Sequence, residues 1–399
     1  MNRDKKTDLS GRSIIRLLFG FAFVLGVSRN AVGPLTPVFT QEFNIGYDTM
    51  GFIFFLGVLS GMISIIILGR LSDRIGRKTI LIIALSLTIS GIAGIILSDS
   101  VIVFIVSYCV MSSGFAGIEA GMTLGAADVS SGKKSAALNS VFKFDSLGAF
   151  IAPSIIFAII FFEQTWKIFF IVTLSLALVI FIILFRLKYP KTVSHQERPR
   201  LRLKDIVNPL IMLGSAVLIF SNGVIVQFAV WFTTYFLEFG IDVGYSSLVV
   251  SLYWLSVLIG RLIIQRLLDH FEEKKILFSI TFITMAALFI IAFTGNIWVK
   301  VVFSFFLGLA VSGIYPILFS IILTPNPRIM GGIYSFLGFV GYGTIMLYQL
   351  LTGFIAENFG KGYIIFVQLA SSVLVFIFTI FLIRVSISQD KRYDRLGTI

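Results

Sequence analysis

Long apolar segments recur from one end of the chain to the other, and they constrain its fold more than any other feature. A helix that crosses a bilayer needs roughly 20 apolar residues. Twelve segments of about that length are present, numbered here as spans 1 to 12: residues 14–38, 49–69, 79–98, 101–125, 137–161, 166–187, 208–238, 245–266, 275–294, 297–323, 331–355 and 362–385. The pattern predicts an all-α membrane protein with twelve transmembrane helices.

The composition excludes several other classes of protein. The 399 residues are 57% hydrophobic and only 13% charged, whereas soluble proteins are about 25% charged. Together with a mean hydropathy of +0.99, these values exclude a disordered chain, a coiled coil and a typical soluble multidomain enzyme. One cysteine, Cys109, and two histidines, His195 and His270, are too few for a disulfide framework, a zinc site or a haem site. We therefore expect no cofactor and no metal.

One long polar stretch interrupts the apolar pattern, between spans 6 and 7. Residues 186–205 contain seven basic side chains and two prolines. This stretch divides the chain into two sets of six spans. We therefore predict an N-terminal six-helix bundle over residues 1–187, a basic cytoplasmic linker over 188–207, and a C-terminal six-helix bundle with a short cytoplasmic tail over 208–399.

The distribution of Lys and Arg predicts the orientation of the spans. When alternate loops are assigned to opposite sides of the membrane, 28 of the 32 basic residues fall on the side that carries both termini. Lys167, Lys300 and Lys361 lie on the other side, and Arg29 lies inside span 1. Because basic loops stay in the cytoplasm, we expect both termini to be cytoplasmic in a plasma or inner cell membrane. The net charge of +12 is then an orientation signal, and we expect no nucleic-acid partner.

The two halves of the chain share a short motif. Residues 69–71 at the end of span 2 read Gly-Arg-Leu, and residues 260–262 in span 8 repeat this tripeptide 191 positions later. A charged turn follows each copy, at 72–78 and at 265–275. Internal duplication, with a site at the membrane midplane between the halves, is typical of secondary transporters. We therefore expect two pseudo-symmetric bundles.

The turn between spans 2 and 3 carries the most specific motif. Residues 69–78 read GRLSDRIGRK. This turn resembles the signature loop of the major facilitator superfamily, G-x-L-x-D-R-x-G-R-K, with every defining position filled, and the twelve-span frame covers the whole chain. The resemblance implies a gating role for residues of this loop and for one acidic residue at the end of span 4: Gly69, Asp73, Arg74, Gly76, Arg77, Lys78 and Asp128.

The residue types in this signature loop fit a gating role. Gly69 and Gly76 permit close approach of main chains and a tight turn. Asp73 is placed to meet a helix end or a basic partner, and Arg77 is within reach of Asp128. In the superfamily such contacts hold the halves together while the outside is open. The alternative interpretation is a basic anchor on the cytoplasmic side.

Ionisable residues inside the spans mark candidate sites, because each costs about 2.5–3.5 kcal/mol at the centre of a membrane helix. Arg29 lies in span 1 and Glu119 in span 4, and the resemblance implies that spans 1, 4, 7 and 10 line a central cavity. We predict that Glu119 carries the coupling proton and that Arg29 contacts a carboxylate or phosphate of the substrate. The alternatives are an interhelical hydrogen bond for either residue and snorkelling towards the exterior for Arg29.

Span 5 contains a second pair of charges, Lys143 and Asp145. Two positions apart, they do not share a helix face, and Asp145 is a second candidate for proton coupling. At about 1.5 Å per residue, Glu119 lies about 9 Å and Arg29 about 22 Å from the cytoplasmic side. This estimate leaves open whether the two form an ion pair.

Further polar residues in the spans are candidates for substrate binding. One, Asn30, directly follows Arg29, and the others lie in spans 7, 10 and 11: Asn222, Gln227, Trp231, Tyr315 and Gln349. Because Trp and Tyr are also typical of the membrane interface, the alternative for these aromatic residues is a role as anchors.

Several stretches share one further resemblance: GFAGIE at 114–119, the spacing of Asn139, Gly148 and Pro153, Trp254 with Gly260-Arg261, and GIYP at 313–316. They resemble the fucose–galactose–glucose:proton symporters, a branch in which a glutamate at the position of Glu119 matters for proton coupling. The sequence departs from the patterns of that branch at Gly33, Phe142, Asp145 and Ile225. These departures weigh against a neutral sugar as the substrate.

Two other groups of the superfamily give rival resemblances. Arg29-Asn30 with Pro37 resembles the span 1 arginine of organophosphate and organic-anion transporters, and an arginine fork suits a carboxylate or phosphate. Drug exporters are the other group, although span 5 keeps only Gly148, Ala152 and Pro153 of their motif.

The sequence therefore predicts a secondary active transporter that moves a small polar solute by alternating access. The favoured activity is proton-coupled uptake of a sugar-like or small organic solute. The expected partners are the solute, protons and the lipid bilayer, and the expected state is a monomer. The alternatives are an organic-anion or organophosphate transporter that uses Arg29, a multidrug exporter, and a non-transporting sensor or scaffold. We do not expect the protein to be an enzyme, because the sequence has no nucleophile–base constellation and no phosphate-binding G-x-x-x-x-G-K-[ST] motif.

Overall fold

The computed structural model describes residues 2–129, 134–186, 207–325 and 329–396, and the side chains of these residues except at 2–13, 72–74, 123–140 and 389–396. Within this part of the chain every regular element is a helix. In chain order the helices are Asn2–Arg29 and Thr36–Glu42 (span 1), Tyr47–Ile75 (span 2), Arg77–Ile96 (span 3), Val101–Val129 (span 4), Lys134–Phe161 (span 5), Lys167–Arg186 (span 6), Pro209–Leu237 (span 7), Val243–Leu268 (span 8), Glu273–Phe293 (span 9), Ile297–Val311 and Ile314–Leu323 (span 10), Met330–Asn358 (span 11), and the 3-10 turn Lys361–Tyr363 followed by Ile364–Leu396 (span 12).

These helices give the twelve-helix membrane fold with two six-helix bundles that the sequence predicts. In the described part of the chain, spans 2 to 12 are long and apolar enough to cross a bilayer. Span 1, whose side chains are described only from residue 14, completes the twelve. Odd-numbered spans run away from the face that carries the chain ends, and even-numbered spans return to it. We call these two faces the distal face and the terminal face.

Polar caps set the starts of several spans. Asn208, Asp242 and Asn296 stand immediately before spans 7, 8 and 10, and the side-chain oxygen of each accepts one or two hydrogen bonds from main-chain N–H groups of the first turn. Such a cap stabilises a helix by about 1 kcal/mol. The sequence-based starts at 208, 245 and 297 therefore lie within two residues of the observed ones.

Each half has its own hydrophobic core. Buried side chains of spans 1 to 6 form one cluster, and those of spans 7 to 12 form a second. Trp231 of span 7 is the main exception, because it packs into the first core with its ring 5.6 Å from that of Phe54. A large aromatic side chain of one half is thus buried in the other.

Span 1 is interrupted in the middle, which corrects our expectation of one continuous helix over 14–38. Its first helix ends at Arg29 and its second begins at Thr36. The six residues between them include Gly33 and Pro34. Proline lacks the N–H group that continues a helix, and glycine favours turns. Because the intervening residues remain largely apolar, hydrophobicity alone did not reveal the break.

Span 10 is also interrupted, where we expected one helix over 297–323. The break falls at Ser312 and Gly313. A Cβ at Gly313 would clash with the Cδ1 atom of Ile264 on span 8, so a larger residue at this point would require that side chain to move. Pro316 then lies in the first turn of the second helix, where proline is tolerated.

The two halves contact each other along spans 2 and 11 and along spans 5 and 8. Towards the distal face this contact involves main chain. A Cβ at Gly51 would lie 2.6 Å from the carbonyl oxygen of Gln349, and one at Gly33 would lie 2.7 Å from Cα of Val230. The described halves are therefore closed together at the distal face.

Candidate functional site

Arg29 is shared between two carboxylates of its own half. Its Nη2 atom lies 3.3 Å from both Oδ atoms of Asp145 on span 5, and its Nη1 atom lies 3.4 Å from Oε2 of Glu119 on span 4. The ion pair that the sequence left open is formed, and Arg29 does not snorkel towards the distal face. Three of the predicted site residues thus form one cluster, which we call the charge triad.

Two glycines make the triad sterically feasible. Gly26 lies one turn before Arg29, and Gly148 lies one turn after Asp145. A Cβ at Gly26 would clash with the main chain of Asp145, and one at Gly148 would lie 2.7 Å from the main-chain nitrogen of Val27. Spans 1 and 5 therefore touch main chain to main chain beside the triad, which brings the guanidinium and the carboxylate together.

The break in span 1 also favours the position of Arg29. Arg29 is the last residue of the first helix, and the negative end of a helix dipole stabilises a cation there. The amide of Asn30 donates to the carbonyl oxygen of Gly26 at 2.9 Å and so satisfies one of the carbonyl groups that the break exposes. Interrupted helices at the membrane midplane are a common device of transporter binding sites.

Water reaches the triad although it lies within the spans. The side chains of Arg29 and Glu119 are 42% and 34% exposed, whereas that of Asp145 is only 11% exposed. The hydroxyl of Tyr342 on span 11 donates to Oε2 of Glu119 at 3.5 Å. Because Tyr342 belongs to the other half, the triad lies at the interface between the two bundles.

Lys143 and Asp145 face different environments, as their spacing predicts. Lys143 is exposed, whereas Asp145 is buried and bound to Arg29. Of this pair, only Asp145 belongs to the candidate site.

Arg261 on span 8 reaches the same turn of span 5 from the other half. Its Nη1 atom donates to the hydroxyl of Ser146 and, at 3.3 Å, to the carbonyl oxygen of Phe142. In the sequence, Arg261 is part of the repeated Gly-Arg-Leu motif and of a stretch that resembles the symporter branch, and neither pattern predicts this contact. Its place beside Asp145 was missed because the sequence does not reveal which faces of spans 5 and 8 meet.

Two of the predicted substrate-binding residues meet in the middle of the C-terminal half. The hydroxyl of Tyr315, just after the break in span 10, donates to Oδ1 of Asn222 on span 7. The amide nitrogen of Asn222 donates to the carbonyl oxygen of Gly341 on span 11 at 3.2 Å. Asn222 thus links the segment after this break to span 11.

The remaining predicted binding residues are buried between spans 7 and 11. Trp231 donates from Nε1 to Oε1 of Gln349 at 2.7 Å, and Thr352 donates to Oε1 of Gln227 at 3.1 Å. Trp231 and Gln227 are fully buried, and Gln349 is nearly so. In this conformation the three side chains belong to the closed distal side and not to the water-accessible triad.

A polar contact completes the distal closure. A carboxylate oxygen of Glu357, at the end of span 11, accepts a hydrogen bond from the main-chain N–H of Tyr47 at 2.7 Å. Tyr47 is the first residue of span 2. The ammonium of Lys361 lies 5.5 Å from the ring of Tyr47. Glu357 and Lys361, both from the C-terminal half, therefore contact the start of span 2.

The signature loop is described only in part. Gly76 has φ +86°, which explains the need for glycine in this tight turn. Lys78 donates to the carbonyl oxygen of Phe185 at the end of span 6. A Cβ at Gly69 would meet no described atom within 4 Å, and the close approach expected there stays a prediction. The side chains of Asp73, Arg74 and Asp128 lie outside the described residues, and the contact predicted between Arg77 and Asp128 stays a prediction.

The chemistry of this site rests on the charged and hydroxyl groups described above. Over the described ranges, no three His, Cys, Asp or Glu side chains are grouped so that they could hold a metal ion. The arrangement can exchange a proton at Glu119 or Asp145, and it presents guanidinium groups to an anion.

Comparison with known proteins places the chain in a broad class. The family profile described as Major Facilitator Superfamily matches residues 18–245 and 211–396. The chain is also 26% identical, over 367 residues, to a protein described as a TsgA homolog from Buchnera aphidicola subsp. Baizongia pistaciae (strain Bp). This match covers 89% of the chain and 91% of that relative.

Solved structures share the fold. The inward-open xylose transporter XylE from E. coli matches with a TM-score of 0.75 and 13% identity over 93% of this chain and 95% of that one. A point mutant of the nucleoside transporter NupG matches with a TM-score of 0.75 and 13% identity over 94% of this chain and 99% of that one. FucP in the outward conformation matches with a TM-score of 0.63 and 17% identity over 92% and 98%.

Proposed function

This chain belongs to the Major Facilitator Superfamily of membrane transporters, and from that premise we propose that it is a proton-coupled secondary transporter of a small polar solute. In this proposal it works by alternating access as a monomer in the cell membrane, with both termini and the linker over 188–207 in the cytoplasm. Among the matched structures, one is described as a D-xylose-proton symporter. Proton coupling is therefore compatible with this fold.

The single observation that carries the proposal is the sharing of Arg29 between Asp145 and Glu119. With both carboxylates ionised, the triad has a net charge of −1. A proton on Glu119 brings that charge to zero and weakens the contact between Glu119 and Nη1 of Arg29. Glu119 is the more exposed carboxylate and is therefore the proposed site of proton entry.

The charge balance around the triad matters, because an uncompensated charge in a low-dielectric interior is costly. Among the described residues, the phenols of Tyr334 and Tyr342 on span 11 also lie near Glu119, and phenols are uncharged at neutral pH. Tyr342 also touches the triad from the other half, so a change of charge at Glu119 alters a contact between the bundles.

The conformation supports alternating access. The halves meet at the distal face through Gly51, Gly33 and the Tyr47–Glu357 hydrogen bond, while water reaches the triad. In the proposed orientation the distal face is extracellular, so this state is closed to the outside. The signature loop and the interrupted spans 1 and 10 favour a moving transporter over a static scaffold or sensor.

Proteoliposomes that contain a pH-sensitive dye test this function. Sugars, organic acids and cationic drugs are added outside in turn, and solute-driven proton entry is read from the dye. At least one solute should acidify the interior. Glu119→Gln should abolish that acidification, whereas Glu163→Gln, which alters an exposed glutamate in the turn after span 5, should preserve it. Solute uptake that moves no protons in the wild-type protein would remove the proposal.

A further inference from the structure

Arg261 carries a charge that the proposed proton site does not use. Among the described residues, no carboxylate oxygen lies within 4.0 Å of its guanidinium, and none of the ion pairs there includes Arg261. Its Nη1 atom donates to neutral acceptors on span 5, Ser146 and the carbonyl oxygen of Phe142. A guanidinium has five N–H donors, so the groups at Nε and Nη2 remain for another acceptor.

Close packing holds Arg261 in this position. A Cβ at the preceding Gly260 would lie 2.6 Å from the carbonyl oxygen of Leu309 on span 10, so spans 8 and 10 touch there. On the other side, span 8 packs against span 5, where the hydroxyl of Ser154 lies 2.8 Å from that of Ser251. The side chain is therefore directed at the 142–146 turn of span 5 and not at lipid.

Two arginines, one from each half, thus converge on a single turn of span 5. Arg29 binds Asp145, and Arg261 binds the next residue, Ser146. Arginine is suited to bidentate binding of carboxylates and phosphates. An anion that accepted hydrogen bonds from both arginines would bridge the two bundles.

The charges at this point predict how many negative charges the solute carries. Among the described side chains that meet here, Arg29 and Arg261 supply two positive charges, and Asp145 and Glu119 supply two negative ones. A proton on Glu119 leaves an excess of one positive charge. A net charge within the membrane is costly. The protonated site therefore reaches zero net charge only when one negative charge enters with the proton.

We propose that the solute is a small organic monocarboxylate, held between Arg29 and Arg261 and transported together with one proton. This inference rests on the proposed proton-coupled transport. The proton binds a carboxylate oxygen of Glu119, Nη1 of Arg29 is released, and the solute carboxylate accepts hydrogen bonds from this group and from the free donors of Arg261. A neutral solute leaves the one excess positive charge of the protonated site uncompensated, and a phosphate monoester dianion brings more negative charge than one proton balances.

Matched pairs of solutes test the proposal on the purified full-length protein. Gluconate is compared with glucose, galacturonate with galactose, and lactate with propane-1,2-diol, and glucose 6-phosphate serves as the dianion. Thermal stabilisation of the protein measures binding, and the dye-loaded proteoliposomes measure proton entry. We expect at least one carboxylate to bind and to move protons, and its neutral counterpart to do neither.

Two variants localise the carboxylate. Arg261→Gln should weaken binding of the carboxylate roughly tenfold or more, since a charge-assisted hydrogen bond is lost. Arg266→Gln, which alters an exposed arginine of the same helix, should leave affinity within about twofold. If Arg261→Gln is not monodisperse, Arg261→Lys replaces it, because lysine keeps the charge but not the fork, and it should also bind more weakly.

A measurement on the wild-type protein alone tests the charge balance. Uptake of one carboxylate with one proton is electroneutral, so a membrane potential set with potassium and valinomycin should not change its rate. The inference is overturned if no carboxylate in the panel binds, if a neutral counterpart binds equally well, or if uptake follows the potential. Proton-coupled uptake of a neutral solute would leave the proposed function standing, whereas carboxylate uptake without protons would remove that function and leave the binding site.

Discussion

The carboxylate of Glu357 caps the first residue of span 2 across the two halves, because it accepts the main-chain N–H of Tyr47 at 2.7 Å. A carboxylate at a helix start is also favoured by the helix dipole. The neighbouring charges are those of Asp48, which like Glu357 lies beside Gly46, and Lys361 above the ring of Tyr47. This hydrogen bond is therefore part of what closes the distal face.

Removal of this cap should open the distal face more often. We expect Glu357→Ala to cost the closed state about 1 kcal/mol, which is roughly a fivefold shift in the open fraction. Val230→Cys, introduced into a Cys109→Ser background, reports that opening through labelling by a membrane-impermeant maleimide applied to intact cells. Labelling should rise with Glu357→Ala and stay unchanged with Glu163→Ala. Equal labelling of both variants would show that Glu357 does not hold the closed state.

The close contact between spans 1 and 5 should not accommodate a methyl group at Gly148 without a loss of stability. Gly148→Ala forces a Cβ against the main chain of span 1, and overpacking of this kind costs about 1–3 kcal/mol. Thermal unfolding in detergent measures the effect. Gly343→Ala is the matched control, because its Cβ would meet nothing within 4 Å and alanine favours a helix over glycine by about 1 kcal/mol. A lower unfolding temperature is expected only for Gly148→Ala, and an undisturbed Gly148→Ala protein would contradict the packing described.

Lys300 should be a structural residue although it is a fully buried cation. Its ammonium donates to the hydroxyl of Tyr235 at 2.8 Å and to the carbonyl oxygen of Ile291 at 2.6 Å, and it lies 4.4 Å from the ring of Phe239. It thereby joins spans 7, 9 and 10. We expect Lys300→Met to lower stability by roughly 2 kcal/mol and to leave the proton dependence of transport unchanged. A changed proton dependence in this variant would place Lys300 in the coupling machinery.

The orientation of the chain is tested through the linker. A peptide tag inserted after Thr192 should react with an antibody only after the cell membrane is made permeable, because the basic loops are expected in the cytoplasm. A tag inserted after Gln164, in the short turn between spans 5 and 6, should react in intact cells. The reverse pattern would invert the proposed topology and, with it, the direction in which the distal face opens.

The spans could be predicted from sequence because the membrane imposes length and hydropathy on each of them. The predicted start of span 4 at residue 101 is the observed one, and spans 6 and 7 differ from the observed helices by one residue at each end. The breaks at 30–35 and 312–313 were missed, because they depend on local glycine and proline geometry within largely apolar sequence.

The height estimate for Arg29 and Glu119 shows why a pairing is harder to predict than a span. The helix of span 4 extends to Val129 and not to 125, so Glu119 lies deeper in the membrane than estimated. Side chains also tilt towards the N-terminus of their helix. Because spans 1 and 4 run in opposite directions, the two side chains incline towards each other. A count of residues along each helix contains no information on this tilt.

The role of Arg261 required the three-dimensional arrangement. Its Gly-Arg-Leu motif was evident in the sequence, but its contact with Ser146 depends on which faces of spans 5 and 8 meet. Gly260 is the only signal beside it, and a glycine in a membrane helix indicates close packing without naming the partner.

The central claim is that Glu119 couples the proton to the solute, and comparison of counterflow with accumulation in the same proteoliposomes tests it most directly. Counterflow exchanges labelled for unlabelled solute and needs no net proton movement, whereas accumulation needs the proton gradient. For Glu119→Gln we predict that counterflow continues and that gradient-driven accumulation is lost, while Glu163→Gln retains both. Accumulation that persists in Glu119→Gln at the wild-type level would contradict the account.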